Sequence, residues 1–367
     1  MRVLLSGGGT AGHINPALAI ADKIKSEIPD AQIAFVGTPR GMENILVEKA
    51  GYEIFHVDVK GFQRKLTPKN IAVLWKAITS PIKAASIIKK FDPDIVIGTG
   101  GYVSWPVVKA AAKRKIPTAI HEQNAFSGVT TRMLSSFVDR VMISFEETRC
   151  QLKTKDEHIV LTGNPVRREL FEKNREEERR KLGITSGKYL LSYGGSLGAR
   201  AINDACLEMF KNNSFKDKNV FHTHAVGAYE WKKRAEEIKN LGETKNGEAL
   251  EYIYDMPSRM CASDLVVCRA GAITLAELAV LGKPAILIPS PYVTDDHQLK
   301  NAMVYERAGA AVIIEEKDLT FKKLKETVEE LISDEDRLAE MSRAARSLAV
   351  RDTDERIFRI IKELTEK

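Results

Sequence analysis

What most constrains this chain is an alternation. Short β-type runs at residues 3–6, 32–36, 54–57, 95–98, 118–121 and 141–144 each border an amphipathic stretch with helical spacing. Strands separated by helices pair in parallel, because the helix carries the chain back along the sheet, so the pattern predicts a parallel sheet covered by helices. The pattern then restarts at 189–193, 220–225, 265–268 and 285–288, after a highly charged stretch at 167–181. A restart predicts a second doubly wound domain, and 367 residues exceed what one core usually holds. The fold class expected is therefore α/β, with two Rossmann-like doubly wound domains. Gly163-Asn164-Pro165 interrupts the preceding strand and sets the boundary. Residues 1–163 are expected to form the first domain and 164–345 the second, with the C-terminal helix in 346–367 returning to the first.

Composition narrows the class. With 44% hydrophobic and 29% charged residues and no apolar run able to span a bilayer, the chain reads as a soluble globular protein. The opening Met1-Arg2-Val3-Leu4-Leu5-Ser6 is too short for the apolar region of a signal peptide, which points to the cytoplasm. Cys150, Cys206, Cys261 and Cys268 form no C-x-x-C pair, so their spacing suggests neither a disulfide framework nor a zinc site. The net charge of +6 is uneven: residues 1–164 carry +7 and the remainder −1. A basic half suits nucleic acid, an anionic membrane surface or a phosphate-bearing substrate, and charge alone does not choose among them.

In open parallel sheets ligands bind beyond the carboxyl ends of the strands, and the unusual residues fall in those loops. Gly7, Gly9 and Gly12 satisfy G-x-G-x-x-G, but the second strand ends Phe35-Val36-Gly37-Thr38 and the next acid is Glu43, so the ribose-binding acid of a dinucleotide site is missing. What remains is a glycine loop feeding a helix N-terminus, suited to a phosphate or sugar oxygen, or else a plain tight turn. His13, at the top of that helix, reads as a general base or as a capping and orienting group. His121 follows an apolar strand and reads as a hydrogen-bonded structural group. Asp92-Pro93-Asp94 imitates a metal-holding D-x-D, but lies before its strand, at the edge opposite the ligand side. With no carboxylate cluster, charge on a leaving diphosphate falls to backbone amides at 194–199 and 271–274. Glu277, one turn into the helix after Gly271, can accept from both hydroxyls of a ribose or can simply stabilise the helix dipole. Residues 62–91 hold seven basic and no acidic side chains, with Ile71, Leu74, Trp75, Ile78 and Ile82 at helical spacing. That segment is either an interfacial membrane helix or one whose apolar face meets the core.

Taken together and in order, six motifs resemble the MurG family of peptidoglycan N-acetylglucosaminyltransferases in glycosyltransferase family 28, over essentially the whole chain. They are Gly8-Gly9-Thr10-Ala11-Gly12-His13, Gly100-Gly101-Tyr102-Val103-Ser104, His121-Glu122-Gln123-Asn124, Gly163-Asn164-Pro165-Val166-Arg167, Gly194-Gly195-Ser196-Leu197-Gly198-Ala199, and the run 269–277. The resemblance implies a GT-B architecture, two Rossmann-like domains facing each other across a cleft. It implies inverting transfer of GlcNAc from UDP-GlcNAc to the C4 hydroxyl of lipid-linked MurNAc-pentapeptide, converting lipid I to lipid II. The second domain would bind the donor, and the first the acceptor and the membrane. By the same resemblance Thr10, Ala11, Gly12, Asn124, Arg167, Ser196, Ile253, Ala272, Ile273, Thr274, Leu275, Ala276, Glu277 and Gln298 bind the donor, with Glu277 on the ribose, Ile253 on uracil and Gln298 on the GlcNAc hydroxyls. Ala11 stands where many members have glycine, which requires negative φ there. His13 becomes the candidate catalytic base. No cofactor and no metal are needed. The implied partners are UDP-GlcNAc, lipid I, an anionic membrane surface and other cell-wall enzymes, and not nucleic acid. Ile71, Leu74, Trp75, Ile78, Lys69 and Lys76 would touch the cytoplasmic face of the membrane. Two rivals stay open: another GT-B lipid glycosyltransferase, and a non-catalytic nucleotide-sugar-binding scaffold.

Overall fold

A computed structural model describes residues 1–59, 69–215, 218–241 and 246–366, with 69–79 described in backbone only. The chain divides into two compact units, Met1–Pro165 with Val350–Lys367, and Val166–Ala349. It thus changes unit at 165 rather than 163, and returns after 349 rather than 345.

The first unit has a seven-stranded, all-parallel sheet of β1 (Arg2–Gly7), β2 (Gln32–Gly37), β3 (Glu53–His56), β4 (Ile95–Gly100), β5 (Thr118–Glu122), β6 (Arg140–Ile143) and β7 (Ile159–Leu161). Its helices are α1 (Ala11–Glu27), α2 (Glu43–Lys49), α3 (Lys69–Phe91), α4 (Ser104–Lys113) and α5 (Val129–Leu134). The strand order is β3-β2-β1-β4-β5-β6-β7. Strand alternation fixes both layers. Val3 and Leu5 pack with Ile14, Ile20 and Ile24 of α1 on one face, while Leu4 packs with Ile88, Val96 and Val107 on the other. Because both faces are covered, Val3-Leu4-Leu5 in the middle of β1 are all apolar and buried instead of alternating with polar residues. Each such fully buried aliphatic side chain contributes about 1.5–3 kcal/mol.

The second unit holds β8 (Lys188–Tyr193), β9 (Val220–Ala225), β10 (Gly247–Leu250), β11 (Leu265–Cys268), β12 (Ala285–Leu287) and β13 (Ala311–Ile313), again all parallel, in the order β10-β9-β8-β11-β12-β13. Its helices are α6 (Arg175–Lys181), α7 (Arg200–Lys211), α8 (Ala228–Lys233), α9 (Ala235–Leu241), α10 (Met256–Ala262), α11 (Ala272–Leu281), α12 (His297–Arg307), α13 (Phe321–Ser333) and α14 (Glu335–Ser347). The last helix, α15 (Thr353–Thr365), belongs to the first unit. Its Ile357, Ile360, Ile361 and Leu364 form one helical stripe within the α1 cluster, and Arg356 Nη1 donates to Leu161 O at 2.9 Å.

Both sheets reverse direction once, between β1 and β4 and between β8 and β11. At such a switch point the two loops leaving the adjacent strands diverge and open a crevice, so the four loops at 7–13, 100–104, 194–199 and 269–274 are the ones placed to receive ligand. Asp92-Pro93-Asp94 is at the other end. Asp94 Oδ2 accepts from Arg2 N at 2.7 Å and ties the amino ends of β1 and β4 together.

Candidate active site

In the first unit the glycine loop is built by close approach. Gly8 N donates to Gly100 O at 3.4 Å, and a Cβ on Gly101, whose φ is +79°, would stand 2.3 Å from Gly8 O. A Cβ on Gly100 would stand 2.6 Å from His13 Nδ1, so the imidazole lies flush against bare backbone. Thr10 caps α1 in extended conformation, and Ala11 opens the helix outside the left-handed region, which accommodates its methyl group. His13 is half-buried; its carbonyl accepts from Thr99 Oγ1 at 2.7 Å and its Nδ1 lies 3.0 Å from Gln123 Oε1. No hydrogen bond among the described residues engages its Nε2.

Glu43 has a role that its place in the sequence conceals. Its side chain is fully buried and accepts from Thr38 N and Thr38 Oγ1, both at 2.8 Å, and from Gly9 N at 3.2 Å. Burial pushes this carboxyl up, but the hydrogen bonds from Thr38 and Gly9 outweigh it and hold it below the usual glutamate value. It therefore fastens the glycine loop from beneath as a carboxylate. Along β5, His121 is wholly buried and kept neutral by desolvation, with Nε2 2.9 Å from Gly163 O. Asn124 turns its amide to Glu122 Oε1 at 3.3 Å. Thr10, Ala11, Gly12, His13 and Asn124 all belong to this unit.

In the second unit a pocket of about 560 Å³ opens beyond β8 and β11, lined among others by Gly194, Gly198, Arg269, Ser290, Gln298 and Glu316. Gln298 Oε1 accepts from Ser290 N at 2.9 Å, so its amide nitrogen is the end left for a ligand. The chain reaches α12 through Asp295 and Asp296 at φ +56° and +50°, two successive left-handed residues that are not glycine, a strained conformation that often marks a working site. Ser196 is exposed in the β8 loop, and Ile253 is buried between exposed Tyr252 and Tyr254 beyond β10. Gly271 caps α11 in extended conformation, and the first-turn amides of Ile273 and Thr274 have no carbonyl partner inside the helix. Ala272 is buried, while Ile273, Thr274 and Ala276 are partly exposed.

Glu277 is paired with Arg167, Nε to Oε1 2.9 Å; the carboxylate is 10% exposed and the guanidinium side chain 43%. Burial pushes the Glu277 carboxyl up and the Arg167 charge only partly opposes it, so it titrates above the ordinary value. Leu275 differs from its neighbours in the expected set. Its side chain is completely buried, its N–H donates to Gly271 O at 3.0 Å and its carbonyl accepts from Tyr305 Oη at 2.6 Å, leaving it no group for a ligand.

Two other lining groups, Arg269 at the head of the 269–277 motif and Glu316, were given no role from the sequence. Arg269 donates to the carbonyls of Ile288 and Pro289 at 3.1 and 3.2 Å and pairs with Glu316, bracing the ends of β11, β12 and β13 against one another. Glu316 lies 47 positions away, so no local spacing could have revealed it. Cysteine spacing likewise gave no hint that Cys206, His222 and His224 are buried with their ligand atoms within 4.8 Å of one another. Ser192 Oγ stands between the two rings, 2.7 Å from His222 Nε2 and 2.8 Å from His224 Nδ1, and Asn203 Oδ1 meets His224 Nε2 at 3.0 Å. Burial lowers His224 to about 3 and lifts the Cys206 thiol to about 12, which favours their neutral forms, and His222 Nδ1 is buried without a hydrogen-bond partner among the described residues. The side chains of Lys69, Ile71, Leu74, Trp75, Lys76 and Ile78 lie outside the described residues; the backbone there belongs to α3.

Comparison with known proteins agrees with this layout. Residues 3–143 match the glycosyltransferase family 28 N-terminal domain, and residues 190–357 the family 28 C-terminal domain. The chain is 47% identical over 99% of its length, and 98% of the relative's, to the UDP-N-acetylglucosamine--N-acetylmuramyl-(pentapeptide) pyrophosphoryl-undecaprenol N-acetylglucosamine transferase of Acetivibrio thermocellus. It is 45% identical, at full coverage of both chains, to the transferase of the same name from Caldanaerobacter subterraneus. Among solved structures it superposes on Acinetobacter baumannii MurG with a TM-score of 0.80, at 29% identity and 99% coverage of both chains. A UDP complex of Staphylococcus aureus MnaA, 17% identical with a TM-score of 0.67 over 100% of this chain and 97% of that one, shares the fold. Two switch-point glycine loops, matched domains in both units and near-complete alignment to named relatives lead to one assignment: the chain belongs to glycosyltransferase family 28.

Proposed function

We propose that this family 28 enzyme transfers N-acetylglucosamine from UDP-GlcNAc to the C4 hydroxyl of undecaprenyl-pyrophosphoryl-MurNAc-pentapeptide, making the disaccharide of peptidoglycan synthesis. One observation carries the reading. The second unit's pocket joins the 194–199 glycine loop, the N-terminus of α7 and Gln298, and in the same unit the buried carboxylate of Glu277, paired with Arg167, is of the kind that a uridine ribose needs. The names of the relatives supply the sugar and the acceptor.

The chemistry is a single displacement. The acceptor hydroxyl attacks the anomeric carbon from the face opposite UDP, inverting it, and His13 Nε2 takes the hydroxyl proton. Negative charge growing on the departing diphosphate meets the amides of the 194–199 loop and the N-terminus of α11, groups already oriented before the reaction. No metal enters this scheme.

The acceptor's lipid tail calls for a membrane surface. No helix of the described residues is long and apolar enough to cross one. The first unit instead exposes Val129, Met133 and Phe137, each about half accessible, with the Phe137 ring edge-on to Trp105 and Lys109 Nζ 4.3 Å from the Trp105 ring centroid. Apolar and aromatic groups with a flanking cation are what a peripheral protein offers to an anionic leaflet, and a peripheral position at the cytoplasmic face of the membrane is part of this proposal.

The test is to incubate the full chain with UDP-GlcNAc and a lipid I analogue. A β-linked disaccharide with stoichiometric UDP is expected. Absence of that product would rule out this acceptor, and transfer to a diacylglycerol instead would favour another lipid glycosyltransferase of the same fold.

A further inference from the structure

His13 is connected to a chain of hydrogen bonds whose direction can be worked out from its far end. Gly163 O is a backbone carbonyl and can only accept, so His121 Nε2, 2.9 Å away, must carry a hydrogen. His121 is completely buried and neutral, which leaves its Nδ1 as a lone pair. That lone pair faces Gln123 Nε2 at 3.0 Å. The same nitrogen also lies 3.0 Å from Thr99 O and 3.0 Å from His121 O, two more groups that can only accept. A reversed Gln123 amide would set its oxygen against two carbonyls and a lone pair, so three separate contacts fix its orientation. Its Oε1 is thereby aimed at His13 Nδ1, 3.0 Å away, and an amide oxygen has no hydrogen to give.

We infer that Gln123, itself oriented by His121, Thr99 and the Gly163 carbonyl, is a positioning residue that locks His13 in the Nδ1–H tautomer and so keeps the lone pair on Nε2 available to take a proton. In water a neutral imidazole exchanges between both tautomers. Here the wrong one would set a lone pair on Nδ1 against the lone pairs of Oε1. Gln123 is 2% exposed, and the His13 ring is also confined by the bare backbone of Gly100, so neither group can turn away to escape that repulsion. An amide accomplishes this without charge. A carboxylate in the same place would also stabilise the imidazolium, whereas glutamine sets the tautomer and leaves the ring's charge state to its surroundings. The lock makes His121 more than a buried structural histidine, because its own tautomer is the first link.

This rests on His13 being the base, and the experiment separates the two claims. Full-length protein labelled with ¹⁵N-histidine is examined by long-range ¹H–¹⁵N correlation near pH 8, with the His13 and His121 signals assigned from the His13→Gln and His121→Asn variants. His13 is expected as Nδ1–H and His121 as Nε2–H. Finding His13 as Nε2–H, or as an even mixture, overturns the lock whatever the kinetics. Gln123→Met keeps the shape without donor or acceptor. His13 should then lose its tautomer bias and kcat should fall roughly 10- to 100-fold, with KM for UDP-GlcNAc within about twofold, because a misdirected base removes only proton transfer. Gln123→Glu keeps an acceptor toward Nδ1 as the protonated acid, whose O–H donates where the amide N–H did, so at pH values where this buried carboxyl is protonated its kcat should return to within about fivefold of the parent. Equal loss in the Met and Glu variants at those pH values overturns the lock. A correct tautomer combined with full activity in His13→Gln leaves the lock standing and removes His13 as base.

Discussion

Replacing Glu277 by glutamine should move binding and stability in opposite directions. The carboxylate is expected to hold both ribose hydroxyls of the donor while it accepts from Arg167 Nε at 2.9 Å. Hydrogen bonds to a charged acceptor are worth about 1.5–3 kcal/mol each and neutral ones about 0.5–1.5, so exchanging two charged bonds for neutral ones costs binding about 2–3 kcal/mol. That corresponds to a Kd for UDP raised about 30- to 160-fold. Stability responds with the other sign. Burial raises the Glu277 pKa above its ordinary 4.5. A raised folded pKa contributes stability that is fully present below the unfolded value and is lost as pH rises through the folded one. At pH 7 the ionised carboxylate is thus held at a cost that glutamine does not incur. Arg167, 43% exposed, can keep its bond to the amide oxygen and remain hydrated, so little is lost there. The variant's melting temperature relative to the parent should therefore rise between pH 4 and pH 7 and be no lower than the parent's at pH 7. Calorimetric titration with UDP and melting curves across that range measure both quantities. A UDP Kd changed by less than about threefold would refute the ribose assignment. A melting temperature clearly below the parent's at pH 7 would refute the burial argument.

Three further outcomes are expected. Glu43→Ala removes the acceptor for Gly9 N, Thr38 N and Thr38 Oγ1, and should lower unfolding free energy in urea by about 2–3 kcal/mol. Because the folded Glu43 pKa is depressed, the stability it contributes is present above about 4.5 and disappears as pH falls below it, so parent and variant should converge in acid. Exhaustive chelation should leave turnover unchanged, since the diphosphate charge is assigned to amides and helix N-termini; a strict divalent requirement would contradict that. Lys109→Glu together with Phe137→Ser, on the exposed Trp105 face, should reduce co-sedimentation with anionic vesicles several-fold and leave UDP binding intact.

Much of the framework is local and so was readable along the chain. A run such as Val3-Leu4-Leu5 has only one way to be covered on both faces, and glycines directly after it leave space where the sheet's strand order reverses. Three of the four edge strands were given no range for an equally local reason. Ile159–Leu161 and Ala311–Ile313 are three residues long, and Gly247–Leu250 contains Gly, Glu and Ala, poor strand formers that neighbour pairing overrides.

By itself, then, the sequence determined two parallel α/β sheets, the glycine loops at their carboxyl ends, and the residue types gathered there. Only the tertiary structure decided how those groups are used. Glu43, discounted as a ribose ligand, turned out to clamp the first loop from 34 residues away. Leu275, inside a matching motif, is committed to the core and to Tyr305. The orientation of Gln123 follows from carbonyls at Thr99 and, through His121, Gly163. The physical reason is the same in each case. Backbone propensity and burial patterns repeat over a few residues, whereas hydrogen-bond direction and charge environment depend on which distant acceptors the fold brings within 3 Å.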